Sequence, residues 1–490
     1  MLLRQIFDPR LAQYAYLIGC PATGEAIVID PERDIDRYIE AAEAEGLRLT
    51  AVAETHIHAD FLSGARELAM RLGLRVYVSA EGGADWQVEW AKDHPDATLL
   101  RDGDSFRVGN IELRAVHTPG HTPEHLSYLV TDHGGGATGP MGLVTGDFVF
   151  VGDLGRPDLL EQAAGMVGVQ EASARALYGS VPAFLELEDH LQVWPGHGAG
   201  SSCGKALGAV PTTTVGYERR HNAALDAARA GEDAFVEAIL ADQPEPPLYF
   251  ARMKALNRSG PQVLGDLPRP HRVALQEIGA LVSDPDVVIV DTRTPRSAFM
   301  ARHLPGSLQA PLDRAFNTVV GSLVEDATRP ILLVVEADRV EDAVRDLVRI
   351  GYDAYAGFVD EDLLEDWFSE GGASQVIQEI DTAQMGELSE LEGHRVVDVR
   401  SGAEYRAGHV SGAVHAPYTR LPRLEERIPR DQTLLVHCGT GKRSAAAASY
   451  LAGRGYDVRF VDDSWSLWAA SGRPVETGAP AETHAAGTTA

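Results

Sequence analysis

At 490 residues, 44% hydrophobic and 23% charged, the chain is too long for a single core and has the composition of a globular protein of about three domains. A formal net charge of -29 argues against nucleic-acid or anionic-membrane binding, since both need clustered positive charge. Three cysteines, Cys20, Cys203 and Cys438, are too few and too odd in number for a disulfide framework, and a reducing cytoplasm follows.

Taken in chain order, the opening "MLLRQIFDPRLAQYAYLIG" is interrupted by Asp8 and Pro9, lacks the apolar core of a signal peptide, and reads as the first strands of a domain. No apolar run is long enough to cross a bilayer. Up to about residue 210, β-rich runs such as "EAIVID", "LTAVAE" and "LQVWPG" alternate with helical stretches such as "FLSGARELAMRLG". Histidines and aspartates fall just after the strands, where loops can gather them at one edge. Residues 215–258 read as helical, broken by "PEPP", and could be a lid, an interface or a brace. The Gly- and Pro-dense stretch 259–272 reads as a linker.

After it the chain repeats itself. "DVVIVDTRTPRSAFMARHLPGSLQAPLD" parallels "HRVVDVRSGAEYRAGHVSGAVHAPYT", each a strand ending in Asp-x-Arg, a helix, a His-x-x-Gly turn and a short strand ending at Ala-Pro. Such alternation implies a mainly parallel α/β sheet in each copy, at 273–375 and 380–476. Residues 477–490 are small and polar, and a disordered tail is expected.

The stretch "AETHIHADFLSG" carries the first chemistry. His56, His58 and Asp60 lie within five residues after a strand, and His121, Asp147 and His197 follow separate strands further on. The order H-x-H-x-D, H, D, H resembles the metallo-β-lactamase superfamily over roughly the first 210 residues. The resemblance implies an αβ/βα sandwich over 1–258 with metal at one edge. Two-metal members of the superfamily place a histidine where Phe61 stands, and phenylalanine has no electron pair to give. A second ion would then be left with Asp60, His197 and a share of Asp147, and be poorly held. A single ion on His56, His121 and Asp147 makes a two-histidine, one-carboxylate set, open to substrate and O2 on ferrous iron.

Within the superfamily this looks like the persulfide dioxygenases of sulfide catabolism, with one Fe(2+) per chain. The alternative is a mononuclear zinc thioesterase of the glyoxalase II kind, in which Zn(2+) activates water. By the resemblance His58 lies beside the metal without ligating it directly. Arg156 and Asp158 match a loop near the active site, where an arginine could hold a carboxylate of the thiol carrier. A surface turn capped by an Arg-Asp contact is an equal alternative. Cys203, six residues after His197, could relay sulfane sulfur or be a small buried residue.

In the last copy, "LLVHCGTGKRSAAAAS" ends a strand at Cys438 and turns through glycines into a helix. Backbone N–H groups aimed at the sulfur favour a thiolate or persulfide, while Lys442 and Arg443 add positive charge for an anionic donor such as thiosulfate. This copy resembles the rhodanese sulfurtransferases. Protein phosphatases also use such a loop, but with arginine six positions after cysteine, whereas Arg443 is five after Cys438. The central copy has Glu336 near the cysteine position and no thiol between residues 204 and 437, which makes it a pseudo-rhodanese. The whole chain resembles bacterial sulfide-detoxification fusions of an α/β multidomain kind. That implies a glutathione or coenzyme A persulfide, O2 and thiosulfate or sulfite as partners, and a homo-oligomer.

Overall fold

A computed structural model describes residues 1–159 and 168–478. It divides into two compact units, residues 1–267 together with Val344–Asp353, and residues 268–343 together with 354–490. The tail expected at 477–490 lies, from residue 479 on, outside the described residues. Among those residues no helix is long and apolar enough to cross a membrane.

The first unit is built on two six-stranded sheets. Leu2–Asp8, Gln13–Cys20, Glu25–Ile29, Arg48–Ala53, Arg75–Ser79 and Ala97–Leu100 lie side by side in chain order. Ser105–Val108, Ile111–His117, Leu126–Asp132, Gly142–Gly146, Gln192–Pro195 and Thr213–Thr214 form the second sheet, again in chain order. Period-two alternation in strands such as "IELRAVH" sends Ile111, Leu113 and Ala115 to one face, where they pack with Tyr16, Ile18, Ile29, Tyr128 and Trp194 between the sheets. On the outer faces the helices Asp36–Ala44 and Ala65–Leu72 cover the first sheet, and Gln170–Leu185, Ala223–Ala230 and Glu232–Leu240 cover the second. The result is a helix–sheet–sheet–helix sandwich.

Strand direction places the site. Ile111–His117 and Gly142–Gly146 both run antiparallel to Leu126–Asp132, and Gln192–Pro195 is parallel to Gly142–Gly146. Their C-terminal ends therefore emerge at one edge, which delivers His121, Asp147 and His197 to the same place. Gly146 sits at φ 48°, and a Cβ there would meet Thr55 Oγ1 at 2.5 Å and His125 Nε2 at 2.8 Å, so only glycine lets the chain turn Asp147 inward.

The second unit holds two parallel sheets. Leu308–Gln309, Val288–Asp291, Ile331–Val334 and Tyr355–Val359 form one. Gln378–Ile380, Val458–Val461, Thr433–His437, His394–Asp398 and Val414–His415 form the other. The repeat reappears as matching chemistry. Arg293 folds back onto Asp291, and Arg400 onto Asp398, in paired hydrogen bonds.

Candidate active sites

Three histidines of the first unit are oriented the same way. His56 Nδ1 lies 2.9 Å from Thr55 Oγ1, whose own hydrogen goes to Asp30 Oδ2 at 2.8 Å. His121 Nδ1–H donates to the carbonyl of Arg156 at 3.0 Å, and His197 Nδ1–H to that of Ala12 at 3.2 Å. Each ring therefore turns the lone pair of Nε2 inward. His121 Nε2 stands 3.4 Å and His56 Nε2 4.0 Å from Asp147 Oδ2, while His197 Nε2 stands 3.5 Å from Asp147 Oδ1 and 3.2 Å from Asp60 Oδ2.

Lone pairs thus face carboxylate oxygens, and among the described residues neither buried oxygen of Asp147 has a nitrogen or oxygen hydrogen-bond partner, the thiol of Cys203 being the donor beside it. Burial pushes the Asp147 and Asp60 carboxyls up to about 6, and holds His56 and His121 well below the usual imidazole range. An acceptor cluster of this kind wants a cation. The donor atoms of His56, His121 and Asp147 lie within 4.8 Å of one another, so this donor set fits a single metal ion.

His58 faces elsewhere. Its Nε2 stands 3.0 Å from Glu54 Oε2 and 3.2 Å from Asp30 Oδ1. Burial opposes a charge on the ring, but the two carboxylates outweigh it and hold the imidazole well above its usual range. Phe61, fully buried, lies against this ring at 4.3 Å between centroids. The loop is closed from outside by Asn257 in the helix Phe250–Ser259. Its Nδ2 donates to the carbonyls of His58 and Phe61 at 2.8 and 2.7 Å, and its Oδ1 accepts from the amide of Ser63 at 2.9 Å. Of the three roles left open for residues 215–258, this contact is that of a brace.

In the second unit Cys438 follows the strand Thr433–His437 and is buried, with Ser444 Oγ donating to its sulfur at 3.4 Å. The helix Lys442–Gly453 starts directly after Gly441, which sits at φ 85° and whose Cβ would lie 2.3 Å from Asp462 Oδ1. Arg443, read from the sequence as positive charge for an anionic donor, is paired. Its guanidinium is held by Glu404 at 2.6 and 2.7 Å, and this arginine takes the Glu404 carboxyl, against its burial, down to about 2. Lys442 is exposed, 3.4 Å from Asp313 of the central copy. Arg296 of that copy donates to the carbonyl of Thr440 at 3.2 Å and pairs with Asp462 at 2.7 Å. A cavity of about 410 Å³ opens between the copies, lined by Arg296, Asp313, Tyr418, Lys442, Arg443 and Asp462 among others.

Comparison with known proteins places both halves. Residues 8–197 match the metallo-beta-lactamase superfamily, and residues 381–471 match the rhodanese-like domain. The mitochondrial persulfide dioxygenase ETHE1 of Bos taurus is 32% identical over 202 residues, 40% of this chain and 68% of that protein. The chain belongs to the persulfide dioxygenases of the metallo-beta-lactamase superfamily. A crystal structure of a metallo-beta-lactamase from Staphylococcus aureus subsp. aureus COL superposes with a TM-score of 0.65 at 39% identity, over 74% of this chain and 99% of that one. A probable polyketide biosynthesis zinc-dependent hydrolase, BaeB of Bacillus velezensis, is 26% identical over 208 residues, 42% of this chain and 82% of that protein. This persulfide dioxygenase homologue therefore carries a rhodanese-like domain behind its metal-binding fold.

The geometry overturns both alternatives given for Arg156 and, for Cys203, bears out the small buried residue. Arg156 has no exposure, and its guanidinium is committed to Asp158 at 2.8 and 2.6 Å and to the carbonyl of Ser202 at 3.0 Å. It is neither a free clamp for a substrate carboxylate nor a surface turn. The buried pair fixes the backbone whose carbonyl orients His121. Cys203 is likewise buried, its thiol pushed up by burial and then by Asp60 and Asp147, which is a poor setting for a sulfur relay. Sequence reasoning missed Asp30, Glu54, Asn257 and His125, whose Nε2 accepts from the amide of Asp147 at 3.0 Å. Asp30 carried a signal only in its backbone, at φ 53°.

Proposed function

We propose that the first unit oxidises a low-molecular-weight thiol persulfide, of glutathione or coenzyme A, with O2, and that the rhodanese-like domain moves sulfane sulfur to or from the same pool. The observation that carries this reading is the His56, His121 and Asp147 cluster on one chain with the Cys438 loop. A ferrous ion bound there would supply open positions for substrate and O2 and the electrons that activate O2. The balance is R–S–SH + O2 + H2O giving R–SH, sulfite and two protons. The chain's own part is orientation. The Nδ1–H bonds to Thr55 and Arg156 fix which nitrogen of each ligating ring faces Asp147.

At the other site the Cys438 thiolate attacks the sulfane sulfur of thiosulfate, the S–S bond breaks, and sulfite leaves with the electron pair. A thiol then takes the outer sulfur of the Cys438 persulfide and regenerates the thiolate; run backward, the same steps make thiosulfate from sulfite. Lys442 and the cavity between the copies suit the approach of such anions, and Arg443, held by Glu404, adds charge to the loop.

Oxygen uptake by the iron-loaded protein with glutathione persulfide tests the first reaction. Uptake with sulfite or thiosulfate appearing, and lost in His121→Ala, is the expected result. No uptake with that persulfide or its coenzyme A equivalent, together with zinc in the isolated protein, would assign a thioesterase instead. Cys438→Ser should abolish thiosulfate:thiol transfer; unchanged transfer would refute the second reaction.

A further inference from the structure

The lost histidine at position 61 suggested a metal position with too few donors, but the fold brings a different donor to it. The donor atoms of Asp60, His197 and Cys203 lie within 4.8 Å of one another, all three residues buried. Cys203 arrives on the loop that follows His197, with its amide bound to Ser201 Oγ at 3.0 Å. His197 Nδ1–H is committed to the carbonyl of Ala12, so the lone pair of Nε2 faces Asp60 Oδ2, which has no hydrogen-bond donor among the described residues, and the Asp147 carboxylate, toward which the Cys203 thiol turns. The Cys203 thiol has one proton and can answer one of these oxygens, not both. Donors around a tetrahedral zinc ion, at about 2.0–2.3 Å from it, lie about 3.3–3.8 Å apart, so a contraction of about 1 Å would bring this group to a binding geometry.

We propose that Asp60, His197 and Cys203, with Asp147 Oδ1 as a shared fourth donor, form a second metal position that takes a borderline divalent cation of the zinc class. Thiolate, imidazole and carboxylate together select such an ion over a hard one. Binding releases the thiol proton to solvent and leaves Cys203 a ligand and not a carrier of sulfur. Phe61 then does not empty this position. It packs against His58, which is drawn to Asp30 and Glu54, and leaves the ligand's place to the cysteine. The inference holds whichever reaction the first position supports.

The test uses the full chain with Cys438→Ser, so that the rhodanese thiol cannot contribute. The protein is stripped with chelator, titrated with Co(2+), and followed by its near-ultraviolet thiolate-to-metal charge-transfer band and by elemental analysis. Two equivalents and a band are expected. Adding Cys203→Ser should remove the band and one equivalent, whereas adding His121→Ala should remove one equivalent and keep the band. One equivalent without a band, or a band that survives Cys203→Ser, would overturn the proposal. Should Cys203→Ser fail to fold, X-ray absorption at the zinc edge of the otherwise unaltered Cys438→Ser protein decides. A sulfur neighbour is expected, and a shell of nitrogen and oxygen alone refutes the site.

Discussion

One side-chain amide closes the turn that presents His58 and Phe61. Asn257→Ala would leave the carbonyls of both residues and the amide of Ser63 buried without partners, at about 1–3 kcal/mol each before relaxation. The expected outcome is about 3 kcal/mol of lost stability in urea unfolding and about 10–100-fold weaker metal binding in chelator competition. Stability lost with metal affinity intact would make Asn257 a support of the fold alone. Such a residue is illegible in sequence, because nothing near "KALNRSG" refers to a loop almost two hundred positions earlier. The order of histidines and aspartates is legible, since each follows a strand end and strand ends share an edge. What that order could not carry is the direction a ring faces: His58 and His56 look alike in "THIHAD", yet one turns to Asp30 and Glu54 and the other to Asp147. For Cys203 the sequence left a relay and a small buried residue open, because its place beside Asp60 is fixed by tertiary packing.

At the scale of elements, the two copies of the second unit share local packing while their loops differ. In the last copy the ring of His409 stacks on Tyr405 at 3.7 Å, and in the central copy His303 stacks on Phe299 at 3.9 Å. Both histidines donate Nδ1–H to the carbonyl four residues earlier, each at 2.8 Å. The thiol loop, by contrast, is replaced in the central copy by Glu336 and a short 3-10 turn, Ala337–Arg339. Burial holds His303 below the usual imidazole range, so the unfolded chain takes up the proton first. Its contribution is present above the unfolded value of about 6.5 and is lost as pH falls through it. Hydrogen exchange in Val288–Asp291 should therefore speed up between pH 7 and pH 5 beyond the intrinsic rate, and less so in His303→Gln. Equal acceleration in both would place the acid-sensitive group elsewhere. The sequence rendered residues 215–258 as helical but not as four helices; Asn222, which caps Ala223–Ala230 by accepting from the amides of Ala224 and Leu225, is where the first break falls.

At the scale of the whole molecule, the boundaries read from the sequence follow composition and repeats, whereas contacts draw one line differently. Val344–Asp353, inside the central copy by sequence, belongs to the first unit. The reason is electrostatic. The acidic run "DPERDID" at residues 30–36 needs cations, and Arg349 supplies the buried one. Its guanidinium reaches Asp34 at 2.8 and 2.7 Å and Asp8 at 2.5 Å, while its carbonyl accepts from the amide of Leu62, next to Phe61. Burial pushes the nearby Glu32 carboxyl up to about 8 even against this arginine. No periodicity announces such a pairing across more than three hundred residues. Arg349→Met removes the central cation of a buried cluster and leaves Asp34 to Arg345 at 3.3 Å and Asp8 to Arg37 at 4.0 Å, a loss of about 3–5 kcal/mol. Arg345→Met, whose partly exposed guanidinium pairs with Asp36 and stands 3.3 Å from Asp34, should cost about 1 kcal/mol, since Arg349 still holds Asp34. Urea unfolding of the two variants side by side reads the difference, and equal, small losses would mean that water reaches the acidic run and that Val344–Asp353 is not held by it. With unequal losses, the central copy has a structural role apart from any chemistry: by sequence it carries the segment that neutralises the acidic run at residues 30–36.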